Sequence, residues 1–254
     1  MEWGVNLYSV RNLISNENGY IETCKKIKEM GASYIQHSGA PFDIKILKRE
    51  IEEVGLPIVL THVPMDRILN DTDNLMSEHE EIGCHNIGLG MMPLDIIKNE
   101  EECLKTINRL NEVGKKMREK GFKLFYHFHH FEFLKLSTGE RIIDYMIKNC
   151  EYINFTADTY WIQYGGGNIV EYFEKMSGKI ECIHIKDYKI VVNEKGELVP
   201  TFSALSDGNF NFKPIIDEAK KSGVKYFLVE QDNAANFEDP LSQIKISADV
   251  IKTW

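Results

Sequence analysis

The stretch Tyr126-His127-Phe128-His129-His130-Phe131-Glu132-Phe133 closes an apolar run with three histidines and a carboxylate. No other part of the chain gathers so many metal-ligand and proton-transfer groups into so few residues. Three further segments follow the same grammar, each a short apolar run ending on an acid or a histidine: Ile153 to Asp158, Ile180 to Asp187, and Tyr226 to Glu230. Strand ends carrying Glu, Asp, His and Glu are what a divalent-metal site at one mouth of an α/β barrel requires.

Outward from that stretch, short apolar runs alternate with helix-period segments. The candidate strands are Trp3–Tyr8, Tyr34–His37, Ile58–His62, Asn86–Leu89, Lys123–His129, Ile153–Thr156, Ile180–Ile185 and Tyr226–Glu230. Between them, Ile21, Cys24, Ile27 and Met30 share one helix face, as do Leu104, Ile107, Leu110, Val113 and Met117. Gly31, Gly55, Gly121 and Gly223 stand at helix-to-strand returns, where a left-handed helix end is expected. Repeated strand–helix alternation predicts a parallel sheet, and eight units predict closure into a (β/α)8 TIM barrel over residues 1–254 as one domain. No G-x-G-x-x-G follows the first run, which weakens a dinucleotide-binding alternative. The irregular segment 188–212 predicts a small hairpin, with Val191-Val192 facing Leu198-Val199 across Asn193-Glu194-Lys195-Gly196, then a turn at Asp207-Gly208-Asn209. Long βα loops of this kind act as lids or substrate contacts.

The 254 residues carry a formal net charge of −9 and no basic block, which argues against nucleic acid or an anionic membrane as partner. The five cysteines are scattered through apolar patterns without a CxxC, so they read as buried free thiols in a reducing compartment. No apolar run approaches the roughly 20 residues of a membrane span. A cytoplasmic protein acting on a small molecule is the expectation, with a homo-oligomer left open.

Side chains alternate along a strand, so His127 and His129 share one face. Thr156 and Asp158 share another, followed by Cys182, His184 and Lys186, then Leu228 and Glu230. One consistent inward face sets His129, Asp158, His184 and Glu230 around a common axis, with Glu132 just above. Carboxylates with an imidazole suit one divalent ion, Mn2+, Mg2+ or Co2+ before Zn2+. His62, ending the third strand, faces the same mouth and is a candidate substrate contact. Taken singly, each of these residues reads as readily as a cap or a satisfied core group; their recurrence on successive strand ends favours chemistry. His130, His37, His79 and His85 read as structural, and Gly165-Gly166-Gly167 as a tight helix entry. Arg11, Arg67, Lys135 and Lys186 lie near the mouth without forming a phosphate cluster.

These residues resemble the sugar phosphate isomerase/epimerase family, the xylose-isomerase-like barrels. The resemblance runs from Leu7-Tyr8-Ser9-Val10-Arg11 through the 126–133 stretch, similar to that family's Y-H-N-H-x-x-E-F, to Asp158-Thr159-Tyr160-Trp161, His184-Ile185-Lys186-Asp187-Tyr188 and Val229-Glu230-Gln231-Asp232. Phe128 stands where the family often has Asn, and Asp207-Gly208 where it has Glu-Gly. The resemblance implies a metal held by Glu132, Asp158, His184 and Glu230, with His62, His129 and Lys186 contacting a sugar or polyol. It further implies an isomerase or epimerase that moves a proton beside a carbonyl through an enediolate, with Glu132 and Glu230 as the two acid–base groups. The alternative is a lyase or dehydratase acting on a keto-inositol or 3-keto-glycoside by the same enolate chemistry.

Overall fold

The computed structural model of the protein describes residues Met1–Trp254. Its strands are β1 (Gly4–Asn6), β2 (Tyr34–His37), β3 (Ile58–His62), β4 (Asn86–Leu89), β5 (Lys123–His127), β6 (Ile153–Asp158), β7 (Ile180–Ile185), β8 (Asp187–Val192), β9 (Leu198–Ser203) and β10 (Tyr226–Val229). All but β8 and β9 pair in parallel and close into a barrel in the order β1-β10-β7-β6-β5-β4-β3-β2. Every barrel strand but one is followed by helix before the next strand begins, as parallel pairing demands. The expected (β/α)8 barrel is the observed one.

Strands buried on both faces need apolar groups outward and a filled interior. The outward side chains pack against the helices in a core of 62 buried residues, including Ile35, Ile87, Leu124, Phe155, Ile183 and Val229. Inside, Tyr34, Leu60, Phe125, Cys182 and Leu228 form a separate apolar layer. One pleat further along the same strands, the inward residues become Gln36, His62, His127, His184 and Glu230. The barrel interior therefore changes from apolar to polar across a single side-chain layer, toward the C-terminal mouth. Gly31, Gly55, Gly121 and Gly223 adopt φ of 93°, 71°, 85° and 96°, the left-handed helix ends expected of them.

Five elements depart from the expected bounds. β6 runs on to Asp158 and β10 stops at Val229. β1 stops at Asn6, whose Oδ1 accepts the Tyr8 N–H at 3.2 Å and turns the chain into a 3-10 segment, Leu7–Val10. β5 stops at His127, because His130–Phe133 forms a 3-10 turn closed by Glu132. The hairpin is longer than the sequence suggests, with pairs running from Val192↔Leu198 to Asp187↔Ser203. Its base is anchored: the Phe202 ring lies 4.4 Å from that of Tyr160, and Asn233 Nδ2 donates to the Phe202 carbonyl at 3.1 Å. No helix is long and apolar enough to cross a membrane.

Candidate metal centre

Four inward side chains converge above the apolar layer: His127, Asp158, His184 and Glu230 are all buried, and one ligand atom from each lies within 4.8 Å of the others. His127 Nε2 is 3.2 Å from His184 Nδ1 and 3.4 Å from Asp158 Oδ2, and His184 Nδ1 is 2.8 Å from Glu230 Oε2. Register explains the meeting. Asp158 pairs with His184, His184 with Leu228, and His127 with Thr156, so strand stagger brings one residue of β5 level with a later position on β6.

Three of the four have their remaining polar atom tied elsewhere. His127 Nδ1 donates to the Gly90 carbonyl at 2.9 Å, leaving Nε2 toward the centre. His184 Nε2 donates to Gln36 Oε1 at 2.8 Å, leaving Nδ1 toward it. Asp158 Oδ1 accepts the N–H groups of Tyr160 and Trp161 at 2.9 and 3.0 Å, capping the helix Thr159–Tyr164, which leaves Oδ2. Oriented imidazoles with a second hydrogen bond to carbonyl oxygens are the support that metal-binding histidines take. Two such imidazoles and two carboxylate oxygens, converging in a buried pocket, fit a divalent ion.

Lys186 shares the centre. Its Nζ stands 2.9 Å from Asp158 Oδ2, 3.2 Å from Glu230 Oε2 and 2.8 Å from Asp232 Oδ1. Burial alone would raise the Asp158 and Glu230 carboxyls, but the ammonium of Lys186 and the neighbouring imidazoles outweigh it and hold both well below the usual range. Burial would lower His184, yet Glu230 and Asp158 beside it lift its imidazole to about 9. His62 is driven well below its usual value by burial and by the neighbouring His127 and His184.

Glu132 is not brought into this group. It is fully buried, its Oε1 accepts the Tyr126 hydroxyl at 2.6 Å, and its Oε2 accepts the His129 backbone N–H at 2.8 Å. Burial pushes its carboxyl up to about 7, against the pull of those two bonds. The place expected for it is held by His127. That position was open to the sequence, since alternation puts His127 inward with His129; the missing piece was the depth along the strand at which the ligands gather.

His62, His129 and Lys186 line one cavity of about 660 Å³, together with Glu230, Asp232, His127 and Trp161. His62 accepts from Gln36 Nε2 at 3.0 Å and shares a 3.3 Å bond with Ser38 Oγ through Nδ1. Gly90 permits this, because a Cβ there would lie 2.9 Å from His62 Nδ1. His129 keeps Nδ1 buried without a hydrogen-bond partner. Gln36 and Asp232 were missed by sequence reasoning. A polar residue inside the run Tyr-Ile-Gln-His and an acid two places after Glu230 are the signals that mark them. His37 and His79 are structural, bonded to Tyr20 and to Thr61. His130 stacks on Trp161 outside the cavity lining, and the glycines at 165 and 167 seat the Phe133 ring.

The chain belongs to the xylose isomerase-like TIM-barrel family, whose model matches residues 24–254. Among curated proteins it is similar to an inosose dehydratase of Clostridium perfringens, 27% identical over 259 aligned positions that cover 85% of this chain and 81% of the relative. Among solved structures, a sugar phosphate isomerase/epimerase from Parabacteroides distasonis superposes with a TM-score of 0.82 at 22% identity, covering 100% of this chain and 98% of that one. A xylose isomerase-like TIM barrel protein from Mycobacterium smegmatis, solved in complex with magnesium, gives 0.73 at 16% identity over 99% and 95% of the two chains. At these identities the two structures share the fold.

Proposed function

We propose that this protein is a divalent-metal-dependent lyase that removes a proton beside the carbonyl of a cyclic keto-polyol or keto-glycoside and expels the group on the β carbon. The observation that carries this reading is the single glutamate at the site. Glu230 lines the cavity, whereas both oxygens of Glu132 are occupied away from it. That leaves Glu132 turned away from the place that a second acid–base glutamate would take. The likeness to inosose dehydratases supports the same choice.

His127, Asp158, His184 and Glu230 would hold the ion. Two imidazoles among four donors favour Mn2+, Co2+ or Zn2+ over Mg2+. When bound, the ion supplies Lewis-acid stabilisation of charge growing on a carbonyl oxygen. Glu230 accepts the proton from carbon through the carboxylate oxygen that the ion would leave free. Lys186, held by Asp158, Glu230 and Asp232, offers a fixed positive charge to a substrate oxygen without reorganisation. His129 and Trp161 form a wall against which a sugar ring is oriented, their own rings 5.1 Å apart.

Epimerisation through the same enolate is the second reading. It is favoured by Asp232, a second carboxylate in the cavity that could return a proton. Incubation of the Mn2+-loaded protein with keto-inositol in D2O separates the two. New conjugated-carbonyl absorbance supports elimination, deuterium wash-in without absorbance supports epimerisation, and neither result on any keto-polyol removes both.

A further inference from the structure

The cavity is divided by the barrel itself. Lys186, Glu230 and Asp232 follow β7 and β10, whereas Phe42, Pro64, Met65, Met91, Pro93 and Phe131 follow β2, β3, β4 and β5. Strand order places these two sets on opposite halves of the mouth. The charged half is compact and buried. The apolar half forms a shelf continuous with it, and Met91 on that shelf is 45% exposed. An exposed methionine among prolines and aromatics beside a polar site is surface awaiting cover.

Cation placement excludes one kind of substrate extension. Lys186 is the only lysine or arginine lining the cavity, and three carboxylates already hold it. Arg11 donates to the Tyr8 and Asp232 carbonyls, and Arg67 is paired with Asp71 and Glu78. No arginine lines the cavity, so a phosphate dianion would find there none of the bidentate guanidinium contacts it favours.

We infer that the substrate is an unphosphorylated sugar or polyol bearing an apolar, ring-sized substituent, which seats on the Phe42–Met91–Phe131 shelf while the keto-polyol ring occupies the charged half. This names the substrate class of the site in the proposed function and rests on that reading for where the ring lies. The occupant is part of the substrate because the shelf and the charged half are one cavity.

The test is isothermal titration of the Mn2+-loaded protein with methyl β-D-glucopyranoside, phenyl β-D-glucopyranoside and methyl β-D-glucopyranoside 6-phosphate. The phenyl glycoside is expected to bind at least about tenfold tighter than the methyl glycoside, from the apolar area it buries. The 6-phosphate is expected to bind no tighter than the methyl glycoside. Met91→Asp should bring the phenyl affinity down to within about threefold of the methyl one; circular dichroism checks that this exposed position leaves the fold intact. Equal affinities in the wild type, no binding of either glycoside, preference for the phosphate, or an undiminished phenyl preference in Met91→Asp would each overturn the inference. So would sedimentation showing a dimer that Met91→Asp dissociates together with equal glycoside affinities, since a second copy would then own the shelf. Phenyl preference without proton exchange on any keto-polyol would remove the proposed function alone. Enolisation of unsubstituted keto-inositol without phenyl preference would remove this inference alone.

Discussion

The Tyr126 hydroxyl donates to Glu132 at 2.6 Å, and that bond makes the glutamate of the 126–133 stretch a brace for the chain, apart from the His127–Asp158–His184–Glu230 group. The same carboxylate accepts the His129 N–H, so it fixes the turn by which β5 leaves the barrel. His127, one residue past Tyr126, faces the other way and enters the cluster.

The exchange of roles is testable by metal content. Glu132→Gln keeps the side-chain shape and is expected to retain one divalent ion per chain after dialysis. His127→Ala is expected to lose it. Inductively coupled plasma analysis of both, with circular dichroism as a fold control, decides the matter. Retention in His127→Ala with loss in Glu132→Gln would restore the glutamate as ligand.

Gln36 couples His184 to His62 through its amide, accepting from one and donating to the other. Gln36→Leu leaves His184 Nε2 and His62 Nε2 without these partners, and an unmade buried hydrogen bond costs about 1–3 kcal/mol. Metal affinity should fall by about 10–100-fold, the range seen when support of a ligating histidine is lost. Competition against a chelating dye measures it; an unchanged dissociation constant would mean that Gln36 does not set the His184 orientation.

Stability should respond to pH through Glu50, which is fully buried and lies outside the candidate metal centre. Burial raises its carboxyl to about 7, opposed by the Leu56 N–H and by Lys28. The folded chain then holds a proton that the unfolded chain releases near the usual value of 4.5. Its contribution is present below the unfolded value and is lost as pH rises through 7. Glu50→Gln should therefore gain on wild type by up to about 3 kcal/mol at pH 8 and by nothing near pH 4. Urea denaturation at the two pH values gives the difference. A constant offset would show that Glu50 does not titrate in this window.

The hairpin of β8 and β9 is expected to have a firm base and a loose tip. At the base, Phe202 packs on Tyr160 and Asp187 accepts the Phe210 N–H, whereas Val192 and Leu198 are 65% and 74% exposed. Hydrogen exchange should show protection falling from residues 187 and 203 toward 193–197. Uniform protection in the isolated chain would contradict this.

Much of this architecture is legible in the amino-acid sequence because barrel strands carry an unambiguous signal. β2, β3, β4 and β7 fall where the apolar runs place them, and the positive-φ glycines close the intervening helices. Strand ends were harder to read. Apolar character continues past His127 through Phe128 and Phe131, but Glu132 folds that segment into a turn, a long-range choice made by Tyr126 and the buried space around it. Asp158 and Glu230 could be recognised because each closes its run, and His184 because it stands one residue from the end of its own. His127 sits one step inside its run, and only the stagger between β5 and β6 reveals that it lies level with Asp158. Gln36 acts through two histidines distant in sequence, so no local pattern displays its partners.

Asp158 divides its two oxygens between the cluster and the first turn of the helix that carries Trp161. The carboxylate is thus a mechanical joint as well as a candidate ligand. A cation drawing on Oδ2 would pull against the same rigid group that Oδ1 anchors, so the angle of the aromatic wall would follow the occupancy of the centre. Loading an ion and shaping the wall beside the cavity would then be one event, and tryptophan fluorescence should report the first by sensing the second.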